Sequence, residues 1–484
     1  MQRSTLRRRL IQVAAVSSLA AIALALTPGF ELHAGPLRVS VHSPRHLLML
    51  AVVSAIAAWA VSLAQGDDEG PPGPRRWGRF AALSGLMVVG LNVLMLAQPS
   101  MPTDKFYCME DRPIGKGFRH VLNCDSGEFM ALASAPASVV SRRVRQSRPL
   151  SFVLAYVISR PLYLIPRLVK AGPYYPLAPE FVAYLIINIA LLILTLVIFT
   201  RLLDWSARVR DGTELLFALV VLGVNDITKL FFWTPHVQVY NLFIGCLTLY
   251  LIVRLIERGE PLRSRQAVGL GLAFGVGLLI YGSFLIPLLC VALVQVVIYR
   301  RLWPALVAGA VSLLPYVCWV TLIFALTGTF YNHEIEVYRQ FVWIADCAKL
   351  GVVACPPKAI DNAWAFFNTG APVMVVPLLL LCGCRIAGYI WPGNTPVPPE
   401  RLRLIGLAIA FAFSVTAVFL LLMGYYVPRL IWLLVPSVLL AVTLELRALR
   451  LAIALPRRWM FDAGLLAASL VYVFVLLERQ GPYN

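Results

Sequence analysis

Runs of apolar residues close to 20 long recur from one end of this chain to the other, and they restrict its fold more than any other feature. They lie near 10–27, 46–65, 80–98, 180–200, 214–232, 239–256, 267–281, 282–298, 303–327, 371–391, 404–424, 430–446 and 460–477. A helix of about 20 residues crosses the ~30 Å hydrocarbon layer, and within lipid only helices or closed barrels satisfy every backbone polar group. Strands that alternate apolar and polar residues are few, which disfavours an outer-membrane barrel. Of the 484 residues 60% are hydrophobic and only 14% charged, whereas a soluble domain carries about 25% charged residues. The chain has too few charges to cover a water-facing surface. The expected fold class is an all-α polytopic membrane protein.

Arginine clusters set the sidedness, because cytoplasmic loops collect Lys and Arg. Arg7 to Arg9, Arg75/Arg76/Arg79, Arg208/Arg210, Arg254/Arg258/Arg263/Arg265, Arg300/Arg301, Arg401/Arg403 and Arg447/Arg450/Arg457/Arg458 all belong on that side. The run 10–27 follows Arg7-Arg8-Arg9. It is longer than a ~7–15-residue signal core, so we read it as a retained signal anchor with the N-terminus cytoplasmic. One further run, 150–168, would invert every later loop if it spanned. It carries Arg160-Pro161 and is followed by Arg167 and Lys170, so it reads as an interfacial helix on the outer leaflet. About 13 transmembrane helices result, with the C-terminus outside. Two sizeable extracytoplasmic loops remain, 99–179 and 328–370. The expected organisation is N-terminal spans over 1–79, a transmembrane module over 80–327 that carries the first loop, the second loop, and C-terminal spans over 371–484. The expected location is a bacterial inner (plasma) membrane.

Among nine cysteines, Cys246, Cys290, Cys318, Cys382 and Cys384 fall in apolar runs and read as small core residues. Cys108 and Cys124 share the first outer loop, and Cys347 and Cys355 share the second. Pairs confined to loops suit disulfides in an oxidising compartment, so Cys108–Cys124 and Cys347–Cys355 are the expected bridges. No cysteine spacing resembles a zinc site. Gly269, Gly271, Gly275 and Gly277 give one span a small-residue face for close helix packing.

The first outer loop carries the candidate chemistry. Asp125 and Glu128 stand three apart in Asn123-Cys124-Asp125-Ser126-Gly127-Glu128. In one reading Asp125 caps a helix and Glu128 completes a capping box. In the other, two carboxylates at a membrane surface serve as a general base, or position a metal or an acceptor hydroxyl. Further along, Arg142, Arg143, Arg145 and Arg148 lead into Pro149-Leu150, on the side where sidedness does not call for arginine. The net charge of +18 therefore has a component that the positive-inside rule leaves unexplained. Guanidinium forks bind phosphate bidentately, so this cluster suits a phosphate or pyrophosphate headgroup, or else adhesion to anionic lipid.

An early outer loop with an acidic motif, juxtamembrane helices and an Arg-Pro segment resembles the GT-C superfamily of membrane glycosyltransferases. The resemblance covers roughly residues 80–445 in architecture. It implies a polyprenyl-phosphate-linked sugar as donor, and a glycan, lipid or protein acceptor of the cell envelope. It also implies inverting transfer on the extracytoplasmic side, with Asp125 as general base and Glu128 assisting. Two neighbouring carboxylates are expected to raise one another's proton affinity. Arg145 and Arg148 would meet the donor phosphate. So would Arg429, which follows Gly424-Tyr425-Tyr426-Val427-Pro428 in an aromatic-Pro-Arg entry to a late span. Tyr426 there is a candidate sugar or acceptor contact.

The segment Asn225 to Asn241 forms a short outer turn near the membrane core, where ionisable residues are costly. Lys229 is a candidate phosphate contact, and His236 and Gln238 are candidate sugar contacts; the alternative is a tight turn with Asp226 and Lys229 paired. In the second loop, His333, Glu334 and Glu336 are candidates for a lid over the site, with His333 a candidate sugar or acceptor contact, or else for ordinary solvated residues. No cofactor is called for, and a divalent metal stays open. A nucleotide-binding fingerprint is lacking, and no nucleic-acid partner is expected. Membrane lipid is. The rival functions are a transporter or flippase of lipid-linked saccharide and an O-antigen polymerase or ligase. A flippase calls for internal repeats and mid-span charges; the polymerase or ligase would use outer-loop Arg and His but has no use for Asp125.

Overall fold

A computed structural model describes residues 87–98, 110–115, 118–141, 145–164, 178–207, 212–330, 333–350, 355–390, 399–453 and 458–479, with short stretches ahead of residue 56. Among them six helices are long and apolar enough to cross a membrane: Pro179–Ser206, Tyr240–Arg258, Leu302–Thr327, Cys355–Ala387, Glu400–Met423 and Arg458–Glu478. Shorter apolar helices include Met87–Ala97, Pro149–Leu162, Thr213–Gly223, Ser264–Ile280 and Gly282–Ile298. The long helices turn apolar side chains outward: Leu306, Leu314, Val317 and Leu326 are each more than half exposed. Such a surface is a liability in water and an ordinary one in lipid. The protein is a helical, multi-pass membrane protein.

The chain divides into two compact units, one of Met1–Cys124, Leu203–Thr234 and Ile453–Tyr483, the other of Asp125–Leu202 and Pro235–Ala452. The first unit holds two short antiparallel hairpins, Phe30–Ala34 with Leu37–Val41 and Glu110–Gly115 with Phe118–Leu122. Its buried Asn92 donates to the carbonyls of Val88 at 3.0 Å and Gly223 at 2.7 Å, and Trp233 Nε1 donates to the Asn92 carbonyl at 2.9 Å. The short helix Asp226–Phe231 starts at a capping box: Asn225 Oδ1 accepts from Ile227 N–H and Thr228 N–H, and Thr228 Oγ1 accepts from Asn225 N–H.

In the second unit the glycine face packs a helix pair. A Cβ on Gly271 would lie 2.6 Å from the Ala308 carbonyl oxygen, and one on Gly275 would lie 2.6 Å from that of Ser312. Only a missing side chain lets Ser264–Ile280 approach Leu302–Thr327 this closely. The helix Pro149–Leu162 has Pro149 in its first turn, where a missing N–H does no harm. Its 14 residues reach about 21 Å, short of the ~30 Å hydrocarbon layer.

The segment 328–370, expected as the second outer loop, is less of a loop than its sequence suggests. Residues 333–350 carry two short helices, His333–Glu336 and Val342–Leu350, and the next helix begins at Cys355 rather than at 371. Pro356 and Pro357 suit a helix start, and a disulfide joins Cys355 to Cys347 with their Cα atoms 4.7 Å apart. Two bonds dock this segment on the C-terminal end of the helix ending at Met423: Phe341 N–H to the Met423 carbonyl at 2.8 Å, and Trp343 Nε1 to the Leu422 carbonyl at 3.0 Å. Gly424 closes that helix at φ +67°, and a Cβ there would meet Trp343 at 2.5 Å, so both conformation and space demand glycine. Cys124 is disulfide-bonded; Cys108, its expected partner, lies outside the described residues.

Candidate active site

Asp125 occupies the N-cap position of the short helix Ser126–Ser134, yet its side chain makes no cap bond. The carboxylate turns instead to Arg145, whose Nη2 lies 2.7 Å from Oδ1, and to His236, whose Nε2 lies 3.4 Å from Oδ2. Glu128 does not reach back to close a capping box; its Oε2 accepts from Arg145 Nε at 3.2 Å. One guanidinium thus ties together the two acids of the motif. Arg145 is 5% exposed and lies over the Phe129 ring, 4.8 Å from its centre, so its charge is spent inside the site. The capping account of this motif does not describe what the two carboxylates do.

The electrostatics depart from the expectation that the two acids raise one another's proton affinity. Burial alone would raise the Asp125 pKa; the bond with His236 and the Arg145 charge outweigh it and hold the carboxyl well below the usual range. Arg145 is itself shifted upward: burial opposes this, but the Asp125 and Glu128 charges prevail. Arg145 stands between two acids that would otherwise repel, and its charge reverses the sign of the effect. For His236, burial is the largest influence, with Arg429 and Arg145 adding to it; against the pull of Asp125 they push the imidazole down to about 4. His236 is neutral near pH 7.

These groups open on a cavity of about 390 Å³. Asp125, Arg145, Arg148, His236, Gln238 and Arg429 line it, together with Ser147, Tyr281, Glu334, Tyr338 and Tyr425. An apolar wall is supplied by Leu278, Leu285, Leu313, Phe419, Met423 and Leu430. The Arg148 guanidinium lies over the Tyr281 ring, 5.0 Å from its centre. Among the described residues no carboxylate is paired with Arg148 or Arg429. Gln238 Oε1 accepts from both Tyr281 Oη at 3.0 Å and Asn241 Nδ2 at 2.8 Å. This fixes the amide orientation and leaves its –NH₂ as the group that donates into the cavity.

Other candidates sit elsewhere. Lys229 belongs to the other unit, where Nζ donates to the carbonyls of Leu476 at 2.7 Å, Leu477 at 3.3 Å and Arg479. Asp226 there forms its ion pair with Arg479 at 3.5 Å. His333 packs edge-on against Tyr338, 5.4 Å between ring centres, and does not line the cavity. Tyr426 bonds the Leu421 carbonyl at 3.2 Å, and its neighbour Tyr425 is the one that faces the cavity. Arg142 and Arg143 lie outside the described residues. Among the described residues no three potential metal-binding side chains come together.

The residues that the linear pattern did not single out are Ser147, Tyr281, Tyr338 and Tyr425. Ser147 is the clearest, since its Oγ donates to Glu334 Oε1 at 2.6 Å and so ties the segment ahead of Pro149 to the one that follows Thr327. Its position between Arg145 and Arg148 was the only signal. Comparison with known protein families, curated proteins and solved structures returned no match.

Proposed function

We propose that this protein is a membrane glycosyltransferase that moves a sugar from a polyprenyl-phosphate donor to a cell-envelope acceptor on the extracytoplasmic side. The observation that carries the reading is one cavity lined by an anchored, ionised carboxylate, two arginines without carboxylate partners among the described residues, and an apolar wall. A polyprenyl phosphate needs those three things: cations for phosphate, an apolar surface for the first isoprene units, and an acid at the reacting sugar. Arg148 and Arg429 hold the phosphate, and Gln238 donates to a sugar oxygen. Arg145 serves the acids rather than the donor.

In the transfer, the acceptor hydroxyl oxygen attacks the anomeric carbon and its proton passes to Asp125. The bond from that carbon to the phosphate oxygen breaks, and its electron pair leaves with the polyprenyl phosphate. A low ground-state pKa makes Asp125 a weak base in water terms. Its gain comes from position, since the carboxylate is already oriented before the acceptor arrives.

The wider frame belongs to the same proposal. About 13 spans cross a bacterial inner membrane, with the N-terminus cytoplasmic and both large loops outside. The disulfide between Cys347 and Cys355 supports an oxidising location for the second loop. Transfer measured with purified protein, donor lipid and acceptor tests the reading through Asp125→Asn. This change keeps the shape and removes the proton acceptor, so turnover should fall by ~100-fold or more with donor binding retained. A helix-capping residue would behave otherwise, because Asn caps about as well as Asp. Near-normal transfer by this variant would remove Asp125 from the chemistry.

A further inference from the structure

His236 has both ring nitrogens engaged, and their partners decide its tautomer. The Val237 backbone N–H donates to Nδ1 at 2.9 Å, so Nδ1 carries a lone pair and no proton. The one proton of the neutral ring is then on Nε2, which faces Asp125 Oδ2 at 3.4 Å. The imidazole is 2% exposed and its ring packs against Phe129, 5.1 Å between centres; Phe129 in turn meets Tyr184 at 5.8 Å. We infer that His236 is a positioning residue for Asp125, locked by a backbone N–H in the tautomer that donates to the carboxylate. This rests on the reading of Asp125 as the base.

The arrangement has a chemical consequence. With Arg145 on Oδ1 and His236 on Oδ2, the plane of the carboxylate is fixed from both sides. Protonating His236 would break the bond from Val237 and add a positive charge beside Arg145 and Arg429. Among the described residues, the groups that face the pair include Arg145 and Glu128 around Asp125, Arg429 beside the imidazole, and Tyr338 beside Arg145. None of them supplies a second donor of the kind that His236 provides without adding charge. A neutral donor orients the acid while holding back less of its basicity than a second cation would.

Two variants of the full-length protein separate this role from packing. His236→Phe keeps the ring against Phe129 and loses the donor; His236→Gln restores an N–H near the place of Nε2–H. Transfer is measured from about pH 3 to about pH 8. For His236→Phe we expect kcat to fall roughly tenfold and the acidic limb to move up, from below the measured range in wild type toward the ordinary carboxylate range. Donor KM should stay within about twofold, since Arg148 and Arg429 are untouched, and His236→Gln should recover most of both changes. Wild-type kcat and acidic limb in His236→Phe would overturn the inference, as would a raised KM with unchanged kcat, which marks a sugar contact. Wild-type protein without any transfer sinks the glycosyltransferase reading instead. The infrared band of the protonated Asp125 carboxyl, assigned by subtracting Asp125→Asn, then decides the point without activity. It should appear at higher pH in His236→Phe than in wild type, and an identical titration would refute the inference.

Discussion

Two clusters of ionisable residues in this protein use their charges differently. In the first unit Lys229, Asp226 and Arg479 form one of them. The Lys229 ammonium donates to the last carbonyls of the helix Arg458–Glu478, and Asp226 faces Arg479. A cation at the C-terminal end of a helix complements its dipole and its unbonded carbonyls. Every charge there has a use within the fold. In the second unit Asp125, Glu128 and Arg145 are likewise mutually engaged, but Arg148 and Arg429 beside them have no carboxylate partner among the described residues, and all but Glu128 line one cavity. The difference between a structural cluster and a candidate site is therefore the charge left over after internal pairing, not the number of charged residues.

That comparison can be broken. The largest effect is expected from Arg148→Ala or Arg429→Ala. A charge-assisted bond to phosphate contributes ~1.5–3 kcal/mol, so the affinity for polyprenyl phosphate should weaken by about ten- to hundred-fold in direct binding measurements. Unchanged affinity in both variants would take the arginines out of the site. Lys229→Met should leave that affinity within about twofold while lowering unfolding stability by roughly 1–3 kcal/mol, because three carbonyls lose their donor. Weakened lipid binding in Lys229→Met, with stability intact, would erase the distinction between the clusters.

A pH dependence sharpens the same contrast. The His236 pKa is depressed in the folded protein to about 4 from an ordinary 6.5. Between those values the unfolded chain binds the proton and the folded one does not, so stability is complete above about pH 6.5 and falls as pH drops. Acidification from pH 7 to pH 5 should remove up to ~2 kcal/mol, and His236→Phe should abolish that part of the slope. Asp125 does not contribute in this window, because its depressed pKa keeps it ionised in the fold and its ordinary value lies below it. An unaltered slope in His236→Phe would show that His236 is not the group responsible.

Much of the membrane character could be read from apolar run length, since a helix in lipid has no other source of backbone partners. The small-residue face Gly271/Gly275 was equally plain, because a missing Cβ has a geometric meaning wherever it falls. The site was only partly readable. Asp125, Arg148 and Arg429 stood out by type and side, and the structure brings all three to one cavity. Arg145 and Arg148 are indistinguishable in sequence, yet one is bound to two acids and the other is not. Only the turn between them decides this. Tyr425 and Tyr426 differ by a single step around a helix entry, and local pattern does not say which faces inward. The start of a helix at Cys355 was hidden by the polar residues Lys358, Asp361 and Asn362, which obscure an apolar run without preventing a helix.

Whether this cavity holds a lipid phosphate against an oriented acid can be seen directly. A density map of the protein with a polyprenyl-phosphate sugar bound tests it most directly. The phosphate is expected between Arg148 and Arg429, the first isoprene units along Leu278, Leu313 and Phe419, and the anomeric carbon facing Asp125. Lipid phosphate bound away from both arginines, or a sugar turned away from Asp125, would contradict it.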